Sequence, residues 1–310
     1  MTTHYDIIPD IHADIDRLTQ TLSTLGYVAV GEVWGHPERR IAAFLGDFID
    51  TGHDNRAVLT LVRAMVDQGQ AVAIMGNHEL NALLYHRKGR NSYGTSDGYM
   101  RAHIKENTAQ HLTFLDEFPV GDADTTEMLE WFLTLPLFLD LGGLRLVHAC
   151  WDDVRIETIL ARRPSGLLTS DDLQEIALEK GASGFAEAVL TTLKGPEAEL
   201  PEQHHFHDIK GNLRTAVRLK WWQSGAMLWR DAALSHPDPE KLPETPLHDN
   251  IKLWPYPVEA KPVFFGHYKM HGAPMINAPN AACLDYPKVA SAYKWAGEAR
   301  LDPKNLILIG

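Results

Sequence analysis

The sequence predicts an α/β fold built around a largely parallel sheet, and three observations carry that expectation. Apolar runs alternate with stretches of helical periodicity from Tyr5 to Tyr85. Three of those runs close abruptly on Asp, His or Asn. The composition, 45% hydrophobic and 23% charged over 310 residues, is that of an ordinary globular chain with enough apolar material for a large core. An apolar run that ends in Gly-Asp reads as a buried parallel strand giving way to a loop at its carboxyl end, where open α/β sheets bind ligands.

Taken in order, the first strand is Tyr5–Pro9, followed by a helix from Asp14 to Leu25 with Ile15, Leu18, Leu22 and Leu25 at helical spacing and Gly26 as its stop. Val28 to Arg40 reads as a loop, with room for a short hairpin. Ile41–Leu45 is the second strand and delivers Gly46-Asp47-Phe48-Ile49-Asp50-Thr51-Gly52. A helix over His53–Gln68 and a third strand, Gln70–Met75, lead to Gly76-Asn77-His78-Glu79 and a short helix through Tyr85. This βαβαβα alternation implies parallel strands with right-handed crossovers. Arg87–Gly98 is a polar surface loop. Helices are expected over Tyr99–Phe118 and Thr125–Leu135, and a hairpin over Leu137–Leu141 and Leu144–Ala149, closing on His148.

Residues 151–261 differ in character and read as a cap inserted into a single domain spanning 1–310. Helices are expected at Asp171–Lys180 and Ser183–Leu193, then a polar segment with Lys210, Arg214, Arg218 and Lys220, then Trp221, Trp222, Trp229 and a proline-rich tract. The chain returns to sheet at Pro262–Phe265, which ends in Gly266-His267. Ala281–Asp285 and Val289–Trp295 are the last expected strands.

The charge balance, −12 with a pI near 5.7, argues against general binding to nucleic acid or to anionic membranes. Two cysteines, Cys150 and Cys283, give neither a disulfide framework nor a thiolate zinc pattern. The chain enters its first strand almost at once, and no apolar run approaches the ~20 residues of a spanning helix. A cytoplasmic location without membrane attachment is the expectation.

Six strand-end residues carry metal-ligand chemistry: Asp10, His12, Asp47, Asn77, His148 and His267. Singly, an Asp before a helix is most often a cap and a His after a strand is most often a packed loop residue. Six at strand ends exceed what those roles supply. Carboxylate, amide and imidazole donors without thiolates suit Mn²⁺, Zn²⁺ or Fe better than a structural zinc.

Asp-x-His, Gly-Asp-x-x-Asp-x-Gly, Gly-Asn-His-Glu, a later strand-end His and a final Gly-His together resemble the calcineurin-like metallophosphoesterase superfamily, and span Asp10 to His267. Gly-Asn-His-Glu, with Lys269 two residues after His267, points to the phosphoprotein-phosphatase-like branch, which also holds bacterial diadenosine tetraphosphate hydrolases. The resemblance implies a four-layer αββα sandwich with a mostly helical cap. It implies two divalent ions, with manganese ahead of zinc, iron, nickel or cobalt. Asp10, His12 and Asp47 would hold the first ion and Asp47, Asn77, His148 and His267 the second. Two such ions lower the pKa of a shared water and clamp phosphoryl oxygens for in-line attack. His78 would protonate the leaving group, oriented by Asp50.

The chain departs from the branch at Thr51, where protein phosphatases carry a phosphate-gripping Arg. A hydroxyl cannot replace a planar bidentate cation. Arg87, Lys88, Arg90, Lys210, Arg214, Arg218, Arg230 and Lys269 are the cations that could act instead. Lys269, beside a ligand, ranks first and Arg90 is kept as the second. Ala13 stands where Gly commonly follows Asp-x-His. The expected substrate is a phosphomonoester or a nucleotide-type phosphoanhydride, small and phosphorylated. The alternatives are a phosphoprotein substrate for a serine/threonine phosphatase, and a non-catalytic metal-binding scaffold of the same fold. His204-His205-x-His207 reads as a solvated loop, Cys150 as a packed residue and the tryptophans as packing.

Overall fold

The strands Tyr5–Ile8, Ile41–Phe44 and Ala71–Ala73 pair in parallel, with Tyr5 opposite Ile41 and Ala42 opposite Ala71. In this computed structural model all residues are described except 1–2, 32, 95–96, 179–182, 208–210, 212, 224–227 and 248–254. Ser291–Trp295 joins the first strand antiparallel, and Leu306–Leu308 joins it in turn, giving a five-stranded mixed sheet. A second, four-stranded sheet orders Ala281–Cys283, Val263–Phe265, Arg145–Val147 and Phe138–Asp140. Its first three strands are parallel and the fourth closes the expected hairpin.

The central strands are mostly apolar on both sides because each side meets a different layer. Ile7, Ala43, Leu45 and Ile74 from the first sheet meet Leu144, Leu146, Phe264 and Ala282 from the second in one buried cluster. Their sequence neighbours Ile8, Ala42, Phe44, Val263 and Phe265 turn the other way and join the helices. Two sheets face to face, with helices outside, make the four-layer αββα arrangement.

The helices begin and end where local chemistry permits. Ile15–Leu25 starts behind Asp14, whose carboxylate accepts from Arg17 N at 2.8 Å, and ends on Gly26 at φ 103°. Lys105–Glu117 is shorter than the helix expected over Tyr99–Phe118. Asp97 accepts from the N–H groups of Tyr99 and His103, and Tyr99 bridges to Lys88, so residues 99–104 satisfy their backbone outside a helix. Ala123–Phe132 likewise starts and stops two to three residues before the expected Thr125–Leu135. The loop Val28–Arg40 contains the hairpin Val28–Val30 with Val33–Gly35.

Between Trp151 and Lys261, helices occupy the first part: Asp153–Arg162, Ser170–Ala177 and Gly184–Lys194. The first of these was not expected. Its start is capped by Asp152, and Ile156 and Ile159 face the main core. The polar stretch that follows forms two short strand pairs, Glu197–Glu199 with Ala216–Arg218 and Phe206–His207 with Leu213–Arg214. Trp229 sits in a small separate cluster with Leu200, Val217 and Leu219, whereas Trp221 and Trp222 pack on Phe265. Lys210 lies outside the described residues. No helix among the described residues is long and apolar enough to cross a membrane.

Candidate dinuclear metal centre

The topology dictates where the chemistry collects. Asp10, Asp47 and Asn77 follow the carboxyl ends of three adjacent parallel strands, and His148 and His267 follow two adjacent parallel strands of the second sheet. All five therefore emerge on one rim. The loops carrying them interlock: Ile11 N and His12 N both donate to Asp47 O, Ala13 N to Phe48 O, and Gly52 N to His12 O.

That interlocking holds an unusual density of left-handed backbone. His12, Ala13, Asp47, Asp50, Thr51 and His267 all have φ between 52° and 72°. For non-glycine residues each costs on the order of 1–2 kcal/mol, so the surrounding hydrogen bonds must over-determine the shape. Ala13 is thus a position where glycine would be free of strain. Gly46, at φ 89°, is irreplaceable for a second reason: a Cβ there would collide with the backbone of Gly76. The two loops could not approach otherwise.

Glu79 fastens them further. Its buried carboxylate accepts from Asp47 N at 2.9 Å, Phe48 N at 2.8 Å and Gly76 N at 2.8 Å. Burial and the Asp47 charge push its pKa up to about 7 against His78 and the bonds from Phe48 and Gly76. Glu79→Ala strands three buried N–H groups and is expected to lower the unfolding free energy by roughly 2–4 kcal/mol. A fall in the urea midpoint checks this, and an unchanged midpoint would contradict it.

Among the described residues two groups of donor atoms converge: Asp47, His12 and His78 in one, and Asp47, His148 and His267 in the other. Asp47 is common to both. His148 Nδ1 donates to Leu45 O at 2.7 Å, which leaves Nε2 to face Asn77 Oδ1 at 3.1 Å and Asp47 Oδ1 at 3.4 Å. His267 Nδ1 lies 2.5 Å from the same Asn77 oxygen. Two imidazole nitrogens, an amide oxygen and a carboxylate oxygen thus crowd one point, a donor set that suits a cation at its centre. Burial opposes charge on His148, but Asp47 and Asp10 outweigh it and push its pKa up to about 10. A proton and a divalent ion are two answers to the same crowding of acceptors. His12 tells the same story from the opposite side. Burial holds its pKa down at about 4 despite Asp47, so the ring is neutral, and its buried Nε2 has no hydrogen-bond partner among the described residues. The residues present fit a pair of divalent ions bridged by Asp47.

Asp10 belongs to neither convergent group. It is buried beside them, accepting from His267 N at 3.0 Å, with its pKa raised by burial and by Asp285. Asn77 is at the centre of the second group. His78 sits at the edge of the first, its Nε2 3.8 Å from Asp47 Oδ2 and its Nδ1 2.6 Å from Asp50 Oδ2. Burial opposes its charge, but Asp47 and the bond to Asp50 prevail and push its pKa up to about 9. Bound cations nearby would pull it down again.

Among the cations considered for phosphate, Lys269 is exposed and close enough to depress His12 electrostatically, and its N–H donates to Asp285. Arg218 has a similar influence on His267. Arg90 is exposed, with its backbone tied to Gln174, and Arg87 is paired with Glu130. Three residues here were not assigned a role from sequence. Glu79 lies within a motif but acts on backbone. Asp285 follows a strand, a signal that was available. His111, which donates to Asp50 Oδ1 at 2.8 Å, lies in the middle of a helix with no local signature.

Comparison with known proteins gives consistent results. The family model described as calcineurin-like phosphoesterase matches residues 4–268. The chain is 33% identical over 147 residues to the bis(5'-nucleosyl)-tetraphosphatase PrpE [asymmetrical] of Anoxybacillus flavithermus, covering 47% of this chain and 56% of that one. It is 31% identical over 147 residues to the Bacillus subtilis protein of the same name, covering 47% and 57%. The chain thus spans about half the length of the first curated relatives it matches. A crystal structure of a putative diadenosine tetraphosphatase aligns over 100% of this chain and 94% of that chain, at 14% identity and a TM-score of 0.46. A likeness that distant says nothing of substrate.

Proposed function

The chain belongs to the calcineurin-like phosphoesterase family and is a hydrolase, and from that premise we propose that it cleaves a nucleotide-type phosphoanhydride at a dinuclear centre bridged by Asp47. The observation that carries the reading is the sharing of Asp47 between two convergent donor groups, with the His78–Asp50 pair beside them. In this reading Asp10, His12 and Asp47 hold one ion and Asp47, Asn77, His148 and His267 the other. When bound, two such ions polarise a phosphoryl group and activate water for in-line attack.

The chain's own residues do the rest. Asp47 fixes the spacing of the two subsites because its oxygens face different histidines. His78 donates Nδ1–H to Asp50 and, as an imidazolium stabilised by that carboxylate and by Asp47, carries a second proton on Nε2 toward the leaving oxygen. Lys269 is the side chain we assign to substrate phosphate. Arg90 keeps only its place on the exposed loop in support.

The anhydride is favoured over a phosphoprotein on two grounds. The curated relatives are named for hydrolysis of bis(5'-nucleosyl) tetraphosphates. Thr51 also offers no guanidinium for a serine or threonine phosphate. The test is hydrolysis of diadenosine tetraphosphate beside a phosphoserine peptide, with Mn²⁺ as the first metal tried. Faster cleavage of the dinucleotide is expected, and preference for the peptide would reverse the substrate assignment. Stoichiometric metal with neither activity would instead favour a scaffold. Metal binding should also appear in stability: free Mn²⁺ at 100 times its Kd is expected to add about 2.7 kcal/mol, read as a raised Tm that EDTA reverses. A Tm indifferent to metal and EDTA would contradict the assignment.

A further inference from the structure

Asp50 is held from two sides. Its Oδ2 accepts from His78 Nδ1 at 2.6 Å and its Oδ1 from His111 Nδ1 at 2.8 Å, while its own N–H donates to Asn55 Oδ1 at 2.9 Å. Behind His111 stands His86, with the two Nε2 atoms 3.1 Å apart. Burial opposes charge on Asp50, but the bonds from His111 and His78 prevail and keep it ionised; an ionised carboxylate only accepts, so His111 carries a proton on Nδ1. In a neutral His111 ring Nε2 must then accept, and His86 must donate from Nε2. A charged His111 would instead donate to His86, and in both cases His111 and His78 donate Nδ1–H to Asp50.

The platform for this row is the helix Lys105–Glu117. His111 is buried and stacks on Phe114 with ring centroids 4.8 Å apart, and His86 meets the same ring edge-on. The helix also grips the loop after Asp50. Thr113 O accepts from Asn55 Nδ2 at 3.1 Å, and the Glu117 carboxylate accepts from Asn55 N at 2.8 Å and Arg56 N at 2.9 Å. None of these groups belongs to the metal cage.

We infer that His111, backed by His86, is a positioning residue: it holds the Asp50 carboxylate in the one orientation that keeps Oδ2 on His78 Nδ1. The inference rests on the reading that His78 protonates the leaving group. Without the second donor, the carboxylate would leave one oxygen unsatisfied in a buried site and would turn to share its remaining donors. The His78 ring would then lose its fixed direction. Geometry at the leaving oxygen would suffer, and metal binding and substrate affinity would not.

The experiment compares H111F, H111N, D50N and the D50N/H111F double variant, all Mn²⁺-loaded, on phenyl phosphate and p-nitrophenyl phosphate. H111F is expected to lower kcat about 10–100-fold on phenyl phosphate and less than about threefold on p-nitrophenyl phosphate, with KM and metal content retained. H111N restores activity, because its Nδ2–H takes the place of the Nδ1–H. In the D50N background H111F adds no further loss. Equal losses on both substrates, no loss, or the same loss with and without Asp50 would overturn the inference. A second readout is proton NMR of the zinc-loaded protein. The downfield imidazole N–H of the short His78–Asp50 bond is expected in wild type and H111N and absent in H111F, and its persistence in H111F counts against the inference. Should H111F fail to fold, H86F is the substitute, with a smaller loss of the same substrate dependence expected and none overturning the idea. If H78N and D50N themselves show no dependence on leaving group, the acid reading fails and this inference falls with it. If they show it and the His111 variants do not, only this inference fails.

Discussion

Replacing Asp47 by Asn is expected to leave the protein folded and to lower turnover of diadenosine tetraphosphate by roughly 10³-fold or more, since several kcal/mol of charge stabilisation is lost and each ~1.4 kcal/mol is tenfold. The side chain is buried, and its Oδ1 accepts from His78 N at 2.9 Å as well as facing His148. Asparagine keeps the shape and an accepting oxygen but removes the charge that both donor groups share. The loss should therefore appear in both subsites together, as a fall in bound metal measured by elemental analysis. Near-normal turnover by D47N with full metal content would remove Asp47 from the bridging position.

His78→Asn should retain metal and lower kcat ~10²–10⁴-fold on an ester with a poor leaving group such as phenyl phosphate. The loss should shrink on p-nitrophenyl phosphate, whose leaving oxygen needs no proton. It should also be modest on a dinucleoside tetraphosphate, where the departing group is itself a phosphate. The reasoning is local. His78 is the imidazole whose far nitrogen is committed to a carboxylate and whose near nitrogen faces the cage at 3.8 Å from Asp47. Equal losses on all three substrates would assign His78 to structure or metal binding instead.

The convergence of these strand-end residues was legible in the sequence because parallel sheets convert local motifs into proximity. Asp10, Asp47 and Asn77 each follow a strand, and adjacent parallel strands bring such positions together without any knowledge of the rest of the chain. The second sheet does the same for His148 and His267. His111 was not legible for the opposite reason. It sits mid-helix, 61 residues after Asp50, and only the packing of Lys105–Glu117 against the loop makes them partners. Glu79 stood inside a quoted motif, yet its work is to satisfy backbone N–H groups two loops apart, which no residue spacing reveals.

The fold shows the same division. The alternating elements to Tyr85 were readable from periodicity, as was the hairpin before His148. The strand Leu306–Leu308 was missed: it is three residues long, half-exposed and at a sheet edge, so it carries little of the apolar signature of a buried strand. Residues 99–104 show helical composition but are held by Asp97, a tertiary override of propensity. In the stretch after Gly195, short strand pairs replace what composition showed only as polarity, because two- and three-residue ladders are too brief for a period of two to register.

The central claim, a pair of divalent ions sharing Asp47, is most directly tested by titrating EDTA-stripped protein with Mn²⁺ while following diadenosine tetraphosphate hydrolysis and bound metal together. The account predicts negligible activity without metal and a plateau at two ions per chain for wild type. It predicts that D47N never reaches that stoichiometry. A plateau at one ion, or activity in the stripped protein that added Mn²⁺ does not change, would contradict it.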